Sequence, residues 1–219
     1  MGSFWSEPFL WIHLAGIAVL PLCLGVCLLG LASGEPLLPV WMEIFLVAAV
    51  GIVPVLWMQL MRPFNIFSVL IFAVKPEQLT SQQTQILSLF KKTGNKVMAV
   101  LGAILLGWVL WQIYSLAPSV PALARFAPGW RGAGLLVAAI AFLLSNLFLQ
   151  VPLSVCGVLV TSDSTFSQTE AYPKEKIDRD FTTPGFQVNS IWPFTSVETA
   201  PNSQKSESAM EDSGSTSSS

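Results

Sequence analysis

Four long apolar runs, separated by shorter polar stretches, dominate the pattern of hydrophobic and polar positions in this chain. They cover residues 9–32, 37–61, 97–116 and 132–160. Each run has about 20 residues or more, which is the length an α-helix needs to cross the hydrocarbon core of a bilayer. The pattern therefore predicts an all-α membrane protein with four transmembrane helices.

Short polar breaks indicate how these helices connect. Residues 33–36, with the sequence SGEP, have the composition of a tight turn, so the first two helices are expected to form an antiparallel hairpin. A Pro-rich loop over residues 117–131 joins the last two helices into a second hairpin. Pro21 lies inside the first run, where it is expected to kink the helix and leave one carbonyl for a neighbouring helix to satisfy.

The connector between the two hairpins, residues 62–96, holds most of the positive charge outside the C-terminal tail. Its basic residues are Arg62, Lys75, Lys91, Lys92 and Lys96. The apolar segment 64–74 is too short to cross a bilayer, and such a length is typical of an interfacial or re-entrant segment. The connector is therefore predicted to lie at one face of the membrane.

An amphipathic helix is predicted in the second half of the connector. Thr80 followed by Gln83 forms the capping-box pattern that opens a helix. Gln83, Ile86, Leu87 and Phe90 share one face at helical spacing. This face predicts a helix that lies along the membrane surface.

The composition changes after residue 161, where Pro, Ser, Thr, Glu and Asp dominate. Such a segment buries too little apolar surface to offset the entropy of ordering it. The sequence therefore predicts a transmembrane domain over residues 1–161 and a disordered low-complexity tail over residues 162–219. Within the tail, residues 172–194 keep aromatic side chains at intervals, which favours a linear docking segment for a partner.

The charge distribution indicates an orientation. Residues 1–160 contain seven Lys or Arg and four Asp or Glu, a net charge of +3, whereas residues 161–219 contain four and nine, a net charge of −5. Because cytoplasmic loops carry the excess of Lys and Arg, the connector and both termini are predicted to be cytoplasmic. Arg125 and Arg131, in the predicted outer loop, weigh against this orientation without reversing it.

Two ionisable residues inside the apolar runs are candidates for a function. His13 could ligate a haem or chlorophyll, or it could hydrogen-bond a neighbouring helix or the headgroup region. Glu43 lies near the start of the second run. Intramembrane carboxylates are often functional, but this shallow depth favours an interfacial anchor.

Asn146, Gln150 and Ser154 form one polar stripe on the fourth run, at spacings of four residues. Such a stripe can line a polar path, but it more often joins helices by hydrogen bonds, which is the interpretation we favour. Cys23 and Cys27 share a helix face and are interpreted as small packing residues. On the third run, Ala99, Ala103 and Gly107 predict a groove for close helix approach.

Sequence motifs for catalysis and cofactor binding are missing. There is no Walker A, G-x-G-x-x-G, G-x-S-x-G or H-E-x-x-H pattern, and the three cysteines and single histidine form no metal or disulfide pattern. We therefore predict no enzyme activity, no catalytic, cofactor-binding or metal-binding residue, no cofactor and no nucleic-acid partner. No small-molecule substrate is identified.

Three stretches carry a resemblance to a known family. They are residues 4–16 (FWSEPFLWIHLAG), 35–68 (EPLLPVWMEIFLVAAVGIVPVLWMQLMRPFNIFS) and 74–91 (VKPEQLTSQQTQILSLFK). They resemble a cyanobacterial group of low-complexity-tail membrane proteins, and the Ser-rich end from residue 203 fits that description. The resemblance implies a multi-span protein of a cyanobacterial membrane, and it implies no activity and no functional residue.

These observations predict a non-enzymatic accessory or assembly protein of a membrane complex. Its expected partners are the lipid bilayer and another membrane protein, in a plasma or thylakoid membrane. One alternative is a small transporter or channel that uses Glu43, His13 and the stripe that begins at Asn146. The other is a pigment- or haem-binding membrane protein that uses His13.

Overall fold

The computed structural model describes residues 4–69, 71–120 and 130–191. The α-helices in this part of the chain are α1 (Pro8–Ala15), α2 (Leu20–Leu31), α3 (Val40–Met61), α4 (Ser81–Phe90), α5 (Thr93–Leu116), α6 (Arg131–Leu159), α7 (Asp163–Ser167) and α8 (Lys174–Asp180). The strands are β1 (Ser68–Val69), β2 (Phe72–Val74) and β3 (Phe186–Val188). The fold is mostly helical, as predicted, with one small sheet that the sequence analysis did not predict.

Four helical stretches of the described chain are long and apolar enough to cross a membrane. They are Pro8–Leu31, Val40–Met61, Thr93–Ser119 and Arg131–Leu159. These bounds confirm the four predicted helices and differ from the predicted ones by a few residues at most. We call the end of this bundle that bears residues 62–92 the connector end, and the other end the distal end.

Helix α6 is the centre of the bundle. Half of its most apolar window is buried, against 17–28% for the three other spanning stretches. Its most extensive contacts are with α2 and α3, followed by α5. Small side chains such as Ala138, Ala141 and Ser145 lie on its buried face, where they let neighbouring backbones approach closely. The other three helices therefore surround α6.

The first spanning stretch changes its helix type just before Pro21. Residues Gly16–Val19 form a 3₁₀ turn between α1 and α2. Because Pro21 has no N–H to give to the carbonyl of Ile17, that carbonyl accepts a hydrogen bond from the Leu20 N–H instead. The expectation that a neighbouring helix would satisfy this carbonyl is therefore wrong, since the chain satisfies it locally.

The segment 64–74 forms a β-hairpin. β1 pairs antiparallel with β2, and β2 pairs parallel with β3 from the far end of the chain. Helix α4 follows, and its predicted capping box is confirmed, with the Thr80 hydroxyl accepting from the Gln83 N–H at 3.2 Å and the Gln83 side chain accepting from the Thr80 N–H at 3.0 Å.

Residues 162–191 are folded. They contain α7, α8 and β3, and they pack against the connector. The predicted start of the disordered tail at residue 162 is therefore too early, because the few apolar side chains of this segment are buried against residues far away in the sequence. Residues 192–219, which complete the predicted tail, lie outside the described residues.

The connector and residues 162–191 build a small unit that we call the cap, defined as residues 62–90 and 162–191. Its core joins connector residues such as Ile86 and Phe67 to Ile177 and Phe181. The same core contains Phe9 of α1, together with Val155, Val158 and Leu159 of α6. The apolar face of α4 therefore lies inside a protein core, which corrects the prediction that it lies along the membrane surface.

Helices α2 and α6 approach each other closely at Gly30 of α2 and Gly134 of α6. A Cβ placed on Gly134 would lie 2.5 Å from the Gly30 carbonyl oxygen and 2.7 Å from the Ser33 Cβ. The Gly30 carbonyl oxygen belongs to the backbone and the Ser33 Cβ is attached to it directly, so neither atom can move aside without moving the backbone. The two helices can therefore pack at this distance only when both positions are glycine.

We expect Gly134→Ala to lower the stability of the bundle by about 1–3 kcal/mol, which is typical of overpacking in a close-packed core. The measurement is the unfolding midpoint of the purified protein in detergent micelles. Gly132→Ala is the matched control, because a Cβ at Gly132 meets nothing within 4 Å. Equal midpoints for the two variants would contradict the close approach of α2 and α6.

Candidate functional site

A buried ionic cluster joins the helices at the distal end. Glu43 of α3 is fully buried and Arg131 at the start of α6 is only 4% exposed. The Arg131 Nε lies 3.2 Å from the Glu43 Oε1, and its Nη2 donates to Oε2. The Tyr114 hydroxyl of α5 donates to the same Oε2 at 2.9 Å. Three helices therefore meet at one carboxylate.

The turn between α2 and α3 completes this cluster. The Leu37 N–H donates to the Glu43 Oε1 at 3.0 Å. The Arg131 Nη1 donates to the backbone carbonyls of Leu31 and Ser33, the second at 3.3 Å. The carboxylate and the guanidinium are thus paired with each other and with polar groups of the turn. Such a satisfied pair is suited to fixing the distal ends of the helices in place.

The sequence explains why both charges reach this place. Glu43 lies in the first turn of α3, where the helix dipole favours a negative charge. Arg131 was assigned to the outer loop, but it is the first residue of α6. The pair is separated by 88 positions. One signal could have found it, namely that Glu43 is an acidic residue near the distal end of one predicted helix and Arg131 is a basic residue beside the distal end of another.

The depressions beside this cluster are shallow and open. One of about 200 Å³ is lined by Glu35, Tyr114 and Arg131 among others. Another of about 570 Å³ lies beside Trp130 and Arg131. The polar atoms of Tyr114 and Arg131 are already engaged with Glu43. Within residues 4–69, 71–120 and 130–191, no group of three or more His, Cys, Asp or Glu side chains could hold a metal ion.

His13 lies at the other end of the bundle from Glu43. Its Nδ1 is 2.8 Å from the Phe9 carbonyl of its own helix, and its ring centroid is 5.6 Å from that of Phe64 in the connector. The imidazole is therefore engaged by the protein near the connector end. The two ionisable residues that a transporter would have to combine do not converge on one cavity.

The polar stripe of α6 forms hydrogen bonds between helices. The Asn146 Nδ2 donates to the Gly51 carbonyl of α3 at 3.0 Å, and the Gln150 Nε2 donates to the Ala99 carbonyl of α5 at 2.8 Å. Ser154 donates instead to the Gln150 carbonyl of its own helix. This geometry is that of helix–helix contact, with Asn146 and Gln150 as the two bridging residues.

The small residues that let α5 pack closely against other helices differ in one position from those predicted. Ala99 and Ala103 are buried as expected. A Cβ on Gly107, however, would meet only an Ile52 side-chain atom, at 3.9 Å, whereas one on Gly102 would lie 2.9 Å from Leu153. The close approach of α5 to α6 is therefore at Gly102, which corrects the inclusion of Gly107. Cys23 and Cys27 are buried free thiols, in agreement with a packing role.

Backbone hydrogen bonds attach residues 172–188 to the connector. The Tyr172 N–H donates to the Thr84 carbonyl at 3.2 Å, and the Phe186 N–H donates to the Ile71 carbonyl at 2.7 Å. Between them, the Thr182 N–H donates to the Pro63 carbonyl at 3.0 Å. The predicted docking segment is thus docked on its own chain as far as residue 191, because Phe181 lies in the core of the cap and Tyr172 packs against that core. Its last residues, 192–194, lie outside the described part.

Tyr172, Asp180 and Lys91 form a polar network beside the contact between residues 172–188 and the connector. The Tyr172 hydroxyl donates to the Asp180 Oδ2 at 2.5 Å, and the Lys91 Nζ lies 3.6 Å from the same oxygen. The hydrogen bond from Tyr172, followed by that from Arg179, lowers the pKa of Asp180 to about 2. Burial, together with the bond to Asp180, raises the pKa of Tyr172 to about 12. The pair is therefore in its bonded form across the ordinary pH range.

We expect the stability gained from this pair to depend on pH. The lowered pKa of Asp180 means that its contribution is present above about pH 4 and is lost as the pH falls towards 2. The raised pKa of Tyr172 means that its contribution is lost between about pH 10 and pH 12. Tyr172→Phe should therefore lower the unfolding midpoint at pH 7 and have little effect near pH 2. An equal effect at both pH values would contradict this assignment.

These contacts define a class of protein, namely an integral membrane protein with a four-helix bundle and a small folded cap at one end. The chain belongs to the low-complexity tail membrane protein-like family, whose model matches residues 6–193. This match confirms the predicted low-complexity-tail family, which is one of membrane proteins of unknown function, whereas the cyanobacterial origin stays a prediction. No curated protein and no solved structure matches the chain.

Proposed function

We propose that this protein is a non-enzymatic accessory or assembly component of a membrane complex. The cap carries this proposal. It fixes both the connector and residues 162–191 to the connector end of α1 and α6. The last 28 residues, 192–219, therefore start from a defined position beside the membrane. The composition of residues 192–219 predicts a disordered segment, and a disordered segment on a rigid base is suited to recruiting a partner.

The contacts of the ionisable groups support binding over transport or catalysis. Glu43 is held by Arg131, Tyr114 and the backbone of Leu37, so its carboxylate has no free position for a substrate or a travelling proton. His13 is engaged at the opposite end of the bundle. A transport path would need such groups to be accessible in sequence along one cavity.

Co-purification from native membranes in a mild detergent tests this proposal. The full chain, tagged at its N-terminus, is compared with a chain that ends at Ile191 and with one whose residues 192–219 are replaced by a Gly/Ser linker of equal length. We expect a defined membrane protein to be recovered in fixed stoichiometry with the full chain and to be lost from both variants. Recovery of free monomer alone, under every growth condition, would contradict an accessory role.

We further propose that the cap and both termini are cytoplasmic, in a plasma or thylakoid membrane. The pairing of Arg131 with Glu43 supports this orientation, because it neutralises one of the two basic residues that weighed against it. Lys176 in the cap and Ser119 at the distal end are both exposed.

Labelling with a membrane-impermeant maleimide tests this orientation in intact cells, or, for a thylakoid membrane, in inside-out vesicles whose lumenal face is turned outwards. We expect Ser119→Cys to be labelled directly and Lys176→Cys to be labelled only after the membrane is opened. The wild-type chain, with its three native cysteines, measures the background. The reverse pattern would invert the proposed orientation.

A further inference from the structure

The sheet of the cap has one apolar face that extends beyond the core. Phe72 of β2 and Phe186 of β3 are register partners, so their side chains lie on the same face. They are 47% and 71% exposed. Ile71, in the turn before β2, is also 56% exposed. We call these three residues the sheet wedge.

The wedge lies on a face of the cap sheet whose other residues are packed in the core of the cap. Val69 is the register partner of Phe72, and Val74 lies two residues further along β2, so both share the face of the wedge. Both also pack into the core of the cap. This face therefore starts in the core that rests on the connector ends of α1 and α6, and then runs outwards past its edge.

The base of the hairpin lies at the level of the membrane-spanning helices. The Phe64 ring is 5.6 Å from that of His13, and the Phe67 ring is 5.5 Å from that of Phe9. Phe9 and His13 belong to the first two turns of the first spanning stretch. Met61 ends α3, and three residues span at most about 10 Å, so Phe64 is also close to the end of a second spanning helix.

The charge beside the wedge fits a lipid surface. Lys75 follows β2 directly and is only partly buried. Lysine at the edge of an aromatic surface is typical of protein segments that lie against anionic headgroups. Phenylalanine and isoleucine supply the part that enters the boundary between headgroups and acyl chains.

We propose that the sheet wedge inserts into the membrane surface from which the cap emerges. The cap is then held in two ways, by its core on α1 and α6 and by its sheet on lipid. The wedge face is continuous with the core that packs on the connector ends of two spanning helices, α1 and α6, which favours lipid over a protein occupant. Gln187, which is exposed on the opposite side of β3, remains in water.

Depth-dependent fluorescence quenching tests this insertion in nanodiscs made from equal amounts of phosphatidylcholine and phosphatidylglycerol. Single cysteines replace Phe186 or Gln187 in a chain whose three native cysteines are serine, and each carries the same environment-sensitive dye. We expect nitroxide lipids to quench the dye at position 186 several-fold more than at 187, and iodide in water to show the reverse. Gln187 is the matched control, because it is the next residue on the same strand.

Two outcomes would overturn the proposal. If iodide quenches both positions equally and nitroxide lipid quenches neither, the wedge lies in water. If neither quencher reaches position 186, protein covers the wedge, either from residues 192–219 or from a partner.

A second measurement needs no substitution. The wild-type protein is irradiated in the same nanodiscs with a photoactivatable phospholipid, and the adducts are mapped by mass spectrometry. We expect adducts on Ile71, Phe72 and Phe186, and a loss of the Phe186 adduct in Phe186→Ser. Adducts confined to the four spanning stretches would contradict insertion, even if the cysteine-free chain does not fold.

Discussion

Replacing Arg131 with methionine is expected to destabilise the protein by about 3–5 kcal/mol, the loss typical of breaking a buried ion pair by removing one partner. The Glu43 carboxylate, which is fully buried, would keep its bonds from Tyr114 and Leu37 but would lose its counter-ion. The carbonyls of Leu31 and Ser33 would lose their donor at the same time. The measurement is the free energy of unfolding by SDS titration in mixed micelles.

The double variant Glu43→Gln with Arg131→Met is the decisive control. It removes both charges, so it should recover part of the stability that Arg131→Met alone loses, because no unpaired charge remains buried. The recovery would show that the effect of Arg131 comes from its pairing with Glu43. A typical surface substitution changes the free energy of unfolding by about 0.5 kcal/mol at most. A loss no larger than this for Arg131→Met would contradict the buried cluster.

Replacing Phe181 with alanine is expected to open the cap while the helical bundle stays folded. Phe181 is fully buried, its ring packs edge-on against Tyr172 at 5.3 Å, and removing such a side chain costs about 3–5 kcal/mol. Its ring belongs to the core of the cap, where few other apolar side chains hold residues 162–191 in place. The free energy lost in Phe181→Ala should therefore exceed the free energy that keeps residues 162–191 folded onto the connector.

Limited trypsin digestion measures this opening, because Lys174, Lys176 and Arg179 all lie in α8. We expect cleavage at these sites to become much faster in Phe181→Ala than in the wild type. Ser190→Ala is the control, since that side chain is exposed and lies outside the sheet wedge, so its loss should leave the cap closed. Equal cleavage rates in the two variants would contradict a core built around Phe181.

The bundle could be predicted from the sequence because its signals are local. A run of about 20 apolar residues has few alternatives to a spanning helix. The capping box at Thr80 and Gln83 is a pattern of four neighbouring residues, and the structure reproduces it. That Asn146 and Gln150 form hydrogen bonds to other helices could also be predicted, because a polar side chain on a spanning helix turns towards another helix.

The cap could not be predicted because its contacts join distant residues. Strand β3 has three residues, and it pairs with β2 more than 100 positions earlier. Ile177 and Phe181 are isolated apolar residues in a polar sequence, so periodicity gives no sign that they are buried. The same reasoning applies to Arg131, which was assigned to the end of a Pro-rich loop. Its partner, Glu43, belongs to another helix, so no local pattern shows that Arg131 is buried.

Hydrogen exchange of the wild-type protein in micelles tests the central claim most directly, namely that residues 162–191 fold onto the connector. We predict slow exchange at Tyr172, Thr182 and Phe186, whose N–H groups donate to carbonyls of the connector. Exchange of peptides from residues 172–188 should then be slowed by orders of magnitude relative to an unstructured chain. Exchange throughout these peptides at the unprotected rate would contradict the folded cap and every proposal that depends on it.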